Sequence, residues 1–157
     1  MSSQEPRYLV FATDFSERTR EARNWAHEIA RRLGFEVLVV HAIETVHTEG
    51  DPKLRRWFAE LQEEISERME SELSFFRKAQ ISAQGDIREG TAWRVVLDSA
   101  EERNAQLIVV GGHPLGEDAK GQVGTTSQKI ALAANQPVLI VKSPDDGRVE
   151  ASSPDGR

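Results

Sequence analysis

The sequence predicts a single α/β domain on a five-stranded parallel sheet with helices on both faces. Three observations carry this reading. The apolar runs Tyr8–Ala12, Val37–Ile43, Leu107–Val110 and Val138–Val141 are nearly continuous, as strands buried on both faces must be. Helical periodicities alternate with these runs, which is the pattern of a parallel sheet joined by right-handed crossovers. The length, 157 residues, suits one domain at roughly 100–200 residues each.

The elements follow in chain order. Tyr8–Ala12 is the first strand. Ser16 reads as the N-cap of a helix over 17–33, with Ala22, Ala26, Ile29 and Leu33 at helical spacing and Gly34 as its stop. Val37–Ile43 is the second strand. Pro52 opens a helix from Asp51 to about Lys78, whose stripe Leu54, Trp57, Phe58, Leu61, Ile65, Met69, Leu73 and Phe76 should pack on the sheet. Gln80–Ile87 alternates weakly (Ile81, Ala83, Gly85, Ile87) and reads as an edge strand. Thr91 caps a third helix with Trp93, Val96 and Ala100. Leu107–Val110 is the fourth strand, a fourth helix spans about Thr126–Ala134, and Pro137 starts the last strand. The domain is expected to end near Lys142. Residues 143–157 lack an apolar period and read as a flexible polar tail.

Composition excludes several function classes. No apolar run approaches the ~18–20 residues of a membrane span, and Met1–Arg7 has no apolar signal-peptide core. These features predict a cytoplasmic protein that does not engage membranes. Cysteine is absent, which removes disulfides, thiol chemistry and cysteine-ligated metals. The net charge of −6 argues against general nucleic-acid binding. The histidines His27, His41, His47 and His113 form no H-x-x-x-H pair, and no metal site is expected. His41 lies in an apolar strand and reads as a satisfied core histidine. No G-x-S-x-G elbow is present, and nothing in the spacing of Asp14, His113 and Ser127 aligns a triad. A phosphoacceptor receiver domain would need an aspartate ending the third strong strand, which is absent.

In an open α/β sheet, ligands bind beyond the carboxyl ends of the strands, where strand order reverses. The segments of interest are therefore Thr13–Ser16, Ala42–Glu44, Gly111–Gly116 and Gly124–Ser127. The last two are glycine-bearing turns bracketing a polar loop, and the second runs into a helix. Amides at a helix start favour an anion, and Thr125, Thr126 and Ser127 add hydroxyls. Ordinary turn and cap chemistry explains the same residues, and both readings stay open on spacing alone. Asp14, in Asp-Phe-Ser just before a helix, likewise reads as a cap. Neither a P-loop nor a G-x-G-x-x-G fingerprint is present.

Taken together, the segments resemble the universal stress protein family over roughly 7–142. Tyr8–Glu17 is similar to its first strand with the terminal Asp-x-Ser. Gly90-Thr91 resembles its acidic-Gly approach to the third helix, and Ala105–Gly111 its fourth strand. Ser127–Ile130 and Gln136–Val141 resemble its closing helix and strand. The resemblance implies strand order 3-2-1-4-5. The family's nucleotide-binding members carry G-x2-G-x9-G-[ST]. Gly111, Pro114 and Gly124-Thr125 fall at that spacing, with proline in place of the middle glycine. By resemblance, Ala12 and Ala42 would line an adenine pocket and Asp14 would face the ribose or adenine. Gly111 would lie near the ribose, and Gly124, Thr125 and Thr126 would hold phosphates. Pro114 lacks an N–H to donate; Gly112 and His113 would supply amides beside it, with Gly116 as a substitute if the loop shifts. Glu117 and Asp118 add negative charge, which Lys120 partly offsets.

The implied function is an adenine-nucleotide-binding stress sensor or regulator, carrying ATP or AMP with or without magnesium. It would be a homodimer through Val138–Val141, a flat apolar edge strand that needs covering. The alternative is a dimeric interaction module without nucleotide. An ATP-hydrolysing enzyme ranks third, because no general base is identifiable and any ATPase activity would be weak.

Overall fold

Strands Tyr8–Ala12 (β1), Glu36–Ile43 (β2), Ala83–Glu89 (β3), Leu107–Gly111 (β4) and Val138–Val141 (β5) form one all-parallel sheet. Its order is β3-β2-β1-β4-β5, as expected. The computed structural model describes residues 4–44, 50–112 and 123–143. Helices Arg20–Leu33 (α1) and Pro52–Arg77 (α2) cover one face; Ala92–Glu102 (α3) and Thr125–Ala133 (α4) cover the other. Successive strand side chains point to opposite faces. Leu9, Phe11, Val37, Val39 and Val109 thus join the α1–α2 core, while Val10, Leu38, Val40, Ile108 and Val110 join the α3–α4 core.

Three expectations are corrected. The first helix does not start at Glu17: residues Glu17–Thr19 form a 3-10 turn ahead of α1, and the Ser16 side chain makes no cap bond. On α1 the sheet-facing row is Ala22, Ala26 and Ala30, while Leu33 lies 54% exposed. Leu33 shares the azimuth of that row but is the last residue of the helix, followed by Gly34 at φ 71, and so lies past the packed turns. β3 runs three residues later than the predicted strand starts, because a turn with Gln80 at φ 61 ends α2 first. β3 is an edge, as expected, so its outer side tolerates polar residues.

The largest departure is α2. Ile65, Met69, Leu73 and Phe76 are buried, whereas Leu54 is 37% and Trp57 51% exposed. Length explains the split. Twenty-six helical residues span about 39 Å at about 1.5 Å each, but the seven residues of β3 span only about 23 Å at about 3.3 Å each. The first turns of α2 therefore project past the carboxyl end of the sheet. The packed half sits close: a Cβ at Gly85 would lie 2.8 Å from Met69 Cγ, so β3 needs glycine there.

A polar bridge invisible to pattern reading ties β3 to α3. Arg88 forms a two-pronged contact with Glu102 and another with Asp86, and Asp86 accepts a 2.8 Å bond from the buried Ser99 hydroxyl. Its two carboxylate partners hold the Arg88 guanidinium well above its ordinary pKa.

Candidate functional site

β1 lies between β2 and β4, so the crossovers leaving its two sides part at its carboxyl end and open a crevice there. A cleft of about 240 Å³ occupies it. Ala12, Thr13 and Asp14 form one wall with His41 and Ala42; Gly111, Gly124, Thr125 and Thr126 form the other; Ala92 and Val96 of α3 close an apolar side.

On the β1 side, local hydrogen bonds hold the chain in one shape. The Thr13 amide continues the ladder to Val40 O at 3.0 Å. Phe15 then takes φ 63, a left-handed conformation uncommon for a non-glycine residue. Its N–H donates to Thr13 Oγ1 at 2.9 Å. Thr19 Oγ1 donates to Ser16 O at 2.9 Å, so across the 3.1 Å contact between the two threonines Thr13 is the donor. Asp14 Oδ1 accepts from the Ser16 N–H at 2.9 Å and from the Ser16 hydroxyl at 2.5 Å. The aspartate therefore closes the turn before α1 and also lines the cleft; the two sequence readings of Asp14 are compatible.

His41 is half-buried, with Nδ1 2.8 Å from Thr13 O and its ring 4.4 Å from that of Phe15. A carbonyl only accepts, so Nδ1 carries the proton. The histidine is satisfied by the backbone, as its place in an apolar strand implies, and it steadies the turn that presents Asp14.

The opposite wall is a helix start. Gly124 is the N-cap of α4 at φ −60 and ψ 153, with no side-chain cap. The first helical bond runs from the Gln128 N–H to Gly124 O at 3.0 Å. The amides of Thr125, Thr126 and Ser127 precede it and have no acceptor within the helix. The first turn holds no acidic residue of its own to offset the positive end of the dipole. Thr125 and Thr126 are exposed. Ser127 is not: its hydroxyl is buried and donates to Gly111 O at 2.6 Å, pinning α4 to the end of β4.

Of the expected site residues, Ala12, Asp14, Ala42, Gly111, Gly124, Thr125 and Thr126 meet at this cleft. Gly112 does not line it; its N–H donates to Val141 O at 2.8 Å and a Cβ there would lie 2.5 Å from Ile140 Cγ2. His113 and Pro114 lie outside the described residues, as do Gly116, Glu117, Asp118 and Lys120. Sequence reasoning placed Thr13 only within the segment that follows the first strand, read His41 as core alone, and missed Thr19, Ala92 and Val96. The position of Thr91 at the start of a helix after the third strand was the available signal for Ala92. Among the described residues, no cluster of three or more His, Asp or Glu side chains is placed to hold a metal, and no helix is long and apolar enough to cross a membrane.

Comparison with known proteins matches residues 7–142 to the model of the universal stress protein family. A relative from Thermus aquaticus, named for its place in the QAH/OAS sulfhydrylase 3' region, is 31% identical over 141 residues, covering 85% of this chain and 97% of its own. Two solved structures share the fold. A universal stress protein in complex with cAMP superposes with a TM-score of 0.68 at 19% identity, covering 86% of this chain and 96% of its own. One from Archaeoglobus fulgidus in complex with dAMP gives 0.64 at 23% identity, covering 88% and 98%.

Proposed function

Because the chain belongs to the universal stress protein family, we propose that it binds an adenine nucleotide in the β1–β4 cleft and acts as a stress-response sensor or regulator. The observation that carries this reading is the start of α4. Three amides without helical acceptors and two exposed threonine hydroxyls stand across an apolar cleft from Asp14. Related folds solved with cAMP and dAMP support the same ligand class.

The residue roles follow from chemistry. Ala12 and Ala42 offer flat apolar contact to a base, with Val96 opposite. Asp14, an acceptor, suits ribose hydroxyls or the adenine amino group. Gly111 lets a sugar approach the backbone, and Gly124, Thr125 and Thr126 present donors to phosphate. A cleft of about 240 Å³ is just under the ~300–1,000 Å³ that encloses a whole drug-sized ligand, so the phosphates would run out along the α4 start. Magnesium would come with ATP, whose phosphate oxygens supply ligands. His113 remains in the proposed site as a neighbour of Pro114, whereas Gly112, with its N–H engaged by Val141 O, offers no free amide there. Proline has no N–H, so affinity should be moderate. The reading is of binding in the cytoplasm, with weak ATP hydrolysis at most.

The assembly proposed is a homodimer through β5. This strand is the sheet edge opposite β3, and Val138, Leu139 and Ile140 are only half-buried. Its odd residues turn to β4, as the bonds from Ile108 to Pro137 O and from Gly112 to Val141 O require, so Val138 and Ile140 direct their amides outward.

A second reading, a dimeric interaction module without nucleotide, draws on the engaged amide of Gly112 and the missing one of Pro114. The deciding experiment is mass spectrometry of ligand released from purified protein, followed by calorimetric titration of the stripped protein with ATP and AMP. Released or titrated nucleotide supports the first reading. A flat titration of ligand-free, folded protein supports the second.

A further inference from the structure

The projecting half of α2 carries an apolar row that is only partly covered among the described residues. Trp57 is 51% and Leu54 37% exposed, and Phe58 and Leu61 are half-buried. Its charges are ordered as well. Lys53, Arg55 and Arg56 crowd the first turn, which holds no acidic residue of its own and where the dipole disfavours cations; the Asp51 carboxylate at the N-cap accepts from the Lys53 N–H at 2.9 Å. Glu60, Glu63, Glu64 and Glu67 follow. At 3.6 residues per turn, positions seven and eleven apart fall within about 20° of one another. Lys53, Glu60 and Glu64 therefore share one flank, beside Leu54, Leu61 and Ile65 at the same spacing. Among the described residues Lys53 makes no ion pair.

We propose that this overhang docks against the overhang of a second copy of the chain, antiparallel and about a two-fold axis. Such an axis keeps each flank against its own copy and reverses its direction. Lys53 then stands across from the second copy's Glu64, and Phe58 lies beside the axis. Glu64 already accepts from Arg68 at 2.7 Å, and its second oxygen serves the incoming ammonium. A parallel pairing would instead set this flank across from the opposite flank of the second copy, where Arg55 stands level with Lys53, cation against cation, so the charge order selects the antiparallel one. The apolar row becomes the seam, and acidic groups of the second copy approach the basic first turn. The contact is short against the ~1,200–2,000 Å² of a standard interface. It is therefore weak and concentration-dependent. It is independent of the β5 pairing and would join such dimers into larger assemblies.

The chain has no cysteine, so one introduced thiol reports the geometry. In the proposed register two copies of residue 58 are offset by about 1.5 Å along the axis and two copies of residue 54 by about 13 Å. Disulfide bridging needs Cα atoms within ~7 Å. Mild oxidation of Phe58→Cys should give a covalent dimer at least ten-fold faster than Leu54→Cys. Added to the Phe58→Cys chain, Lys53→Glu makes the flank wholly acidic, and Glu60→Lys with Glu64→Lys makes it wholly basic. Each should slow cross-linking about ten-fold alone, and an equal mixture should restore it as a heterodimer distinguishable by mass. Circular dichroism confirms that these surface variants stay folded. Equal cross-linking at both positions, none at either, or indifference to the charge changes would each overturn the proposal. So would protection of Trp57 from acrylamide quenching at every dilution, measured with Trp25 and Trp93 replaced by phenylalanine, because the row would then be covered by its own chain.

Discussion

Gly124→Val separates phosphate binding from ordinary cap chemistry at the start of α4. Gly124 sits at φ −60 and ψ 153, extended backbone that valine adopts without strain. It makes no side-chain cap bond, so the fold loses only the modest glycine preference at an N-cap, about 1 kcal/mol or less. For a domain of this size that is about 2–4 °C in Tm. Binding should suffer far more. The added methyls stand at the mouth of the helix start and keep a phosphate from the Thr125 and Thr126 amides. A hydrogen bond to a charged group contributes about 1.5–3 kcal/mol, so losing two weakens ATP by about 3–6 kcal/mol, roughly 10²–10⁴-fold. Adenosine, which has no phosphate, should bind the variant as it binds the wild type. Calorimetry with ATP, AMP and adenosine, beside a thermal melt, makes the comparison. Undiminished ATP affinity in a folded Gly124→Val protein would refute the placement of phosphate at α4.

Three further outcomes are expected. Leu73→Ala, in the packed half of α2, should cost about 2–5 kcal/mol in urea unfolding, and Leu54→Ala, in the overhang, under about 0.5 kcal/mol; equal losses would mean that the overhang is packed. Burial pushes the Glu72 carboxyl above its ordinary 4.5 despite the Arg23 guanidinium at 3.4 Å. Stability from its protonated form is therefore complete below about pH 4.5 and lost as pH rises through the higher folded value. Glu72→Gln should accordingly gain in Tm over wild type between pH 4 and pH 7, and a gain that shrinks over that range contradicts the sign. Ile140→Pro removes an outward amide from the β5 edge while leaving the bonds to β4, and light scattering should find the dimer weakened; a wild type that is monomeric at micromolar concentration would remove the β5 dimer itself.

The architecture was legible because each element announces itself locally. Continuous apolar runs admit only strands buried on both faces, and Asp51-Pro52 and Gly34 mark helix ends by backbone geometry alone. The walls of the cleft were legible for a related reason: residues just past the strands must gather at the switch point, so Asp14, Ala42, Gly111 and Gly124 are brought together by topology. Hydrogen-bond partners were not legible. Ser127 and Gly112 looked like free donors, yet one serves Gly111 O and the other Val141 O.

The sequence by itself determined the order of strands and helices, the glycine-and-threonine turn that starts α4, and the absence of thiol chemistry. Those properties depend on residues adjacent in the chain. Tertiary structure alone decided which part of a uniform helical stripe is core. The row from Leu54 to Phe76 repeats without a break, but a helix of about 39 Å cannot be covered by a strand of about 23 Å. Periodicity specifies which face of α2 is apolar; only the length of the neighbouring strand specifies where along that face the cover ends.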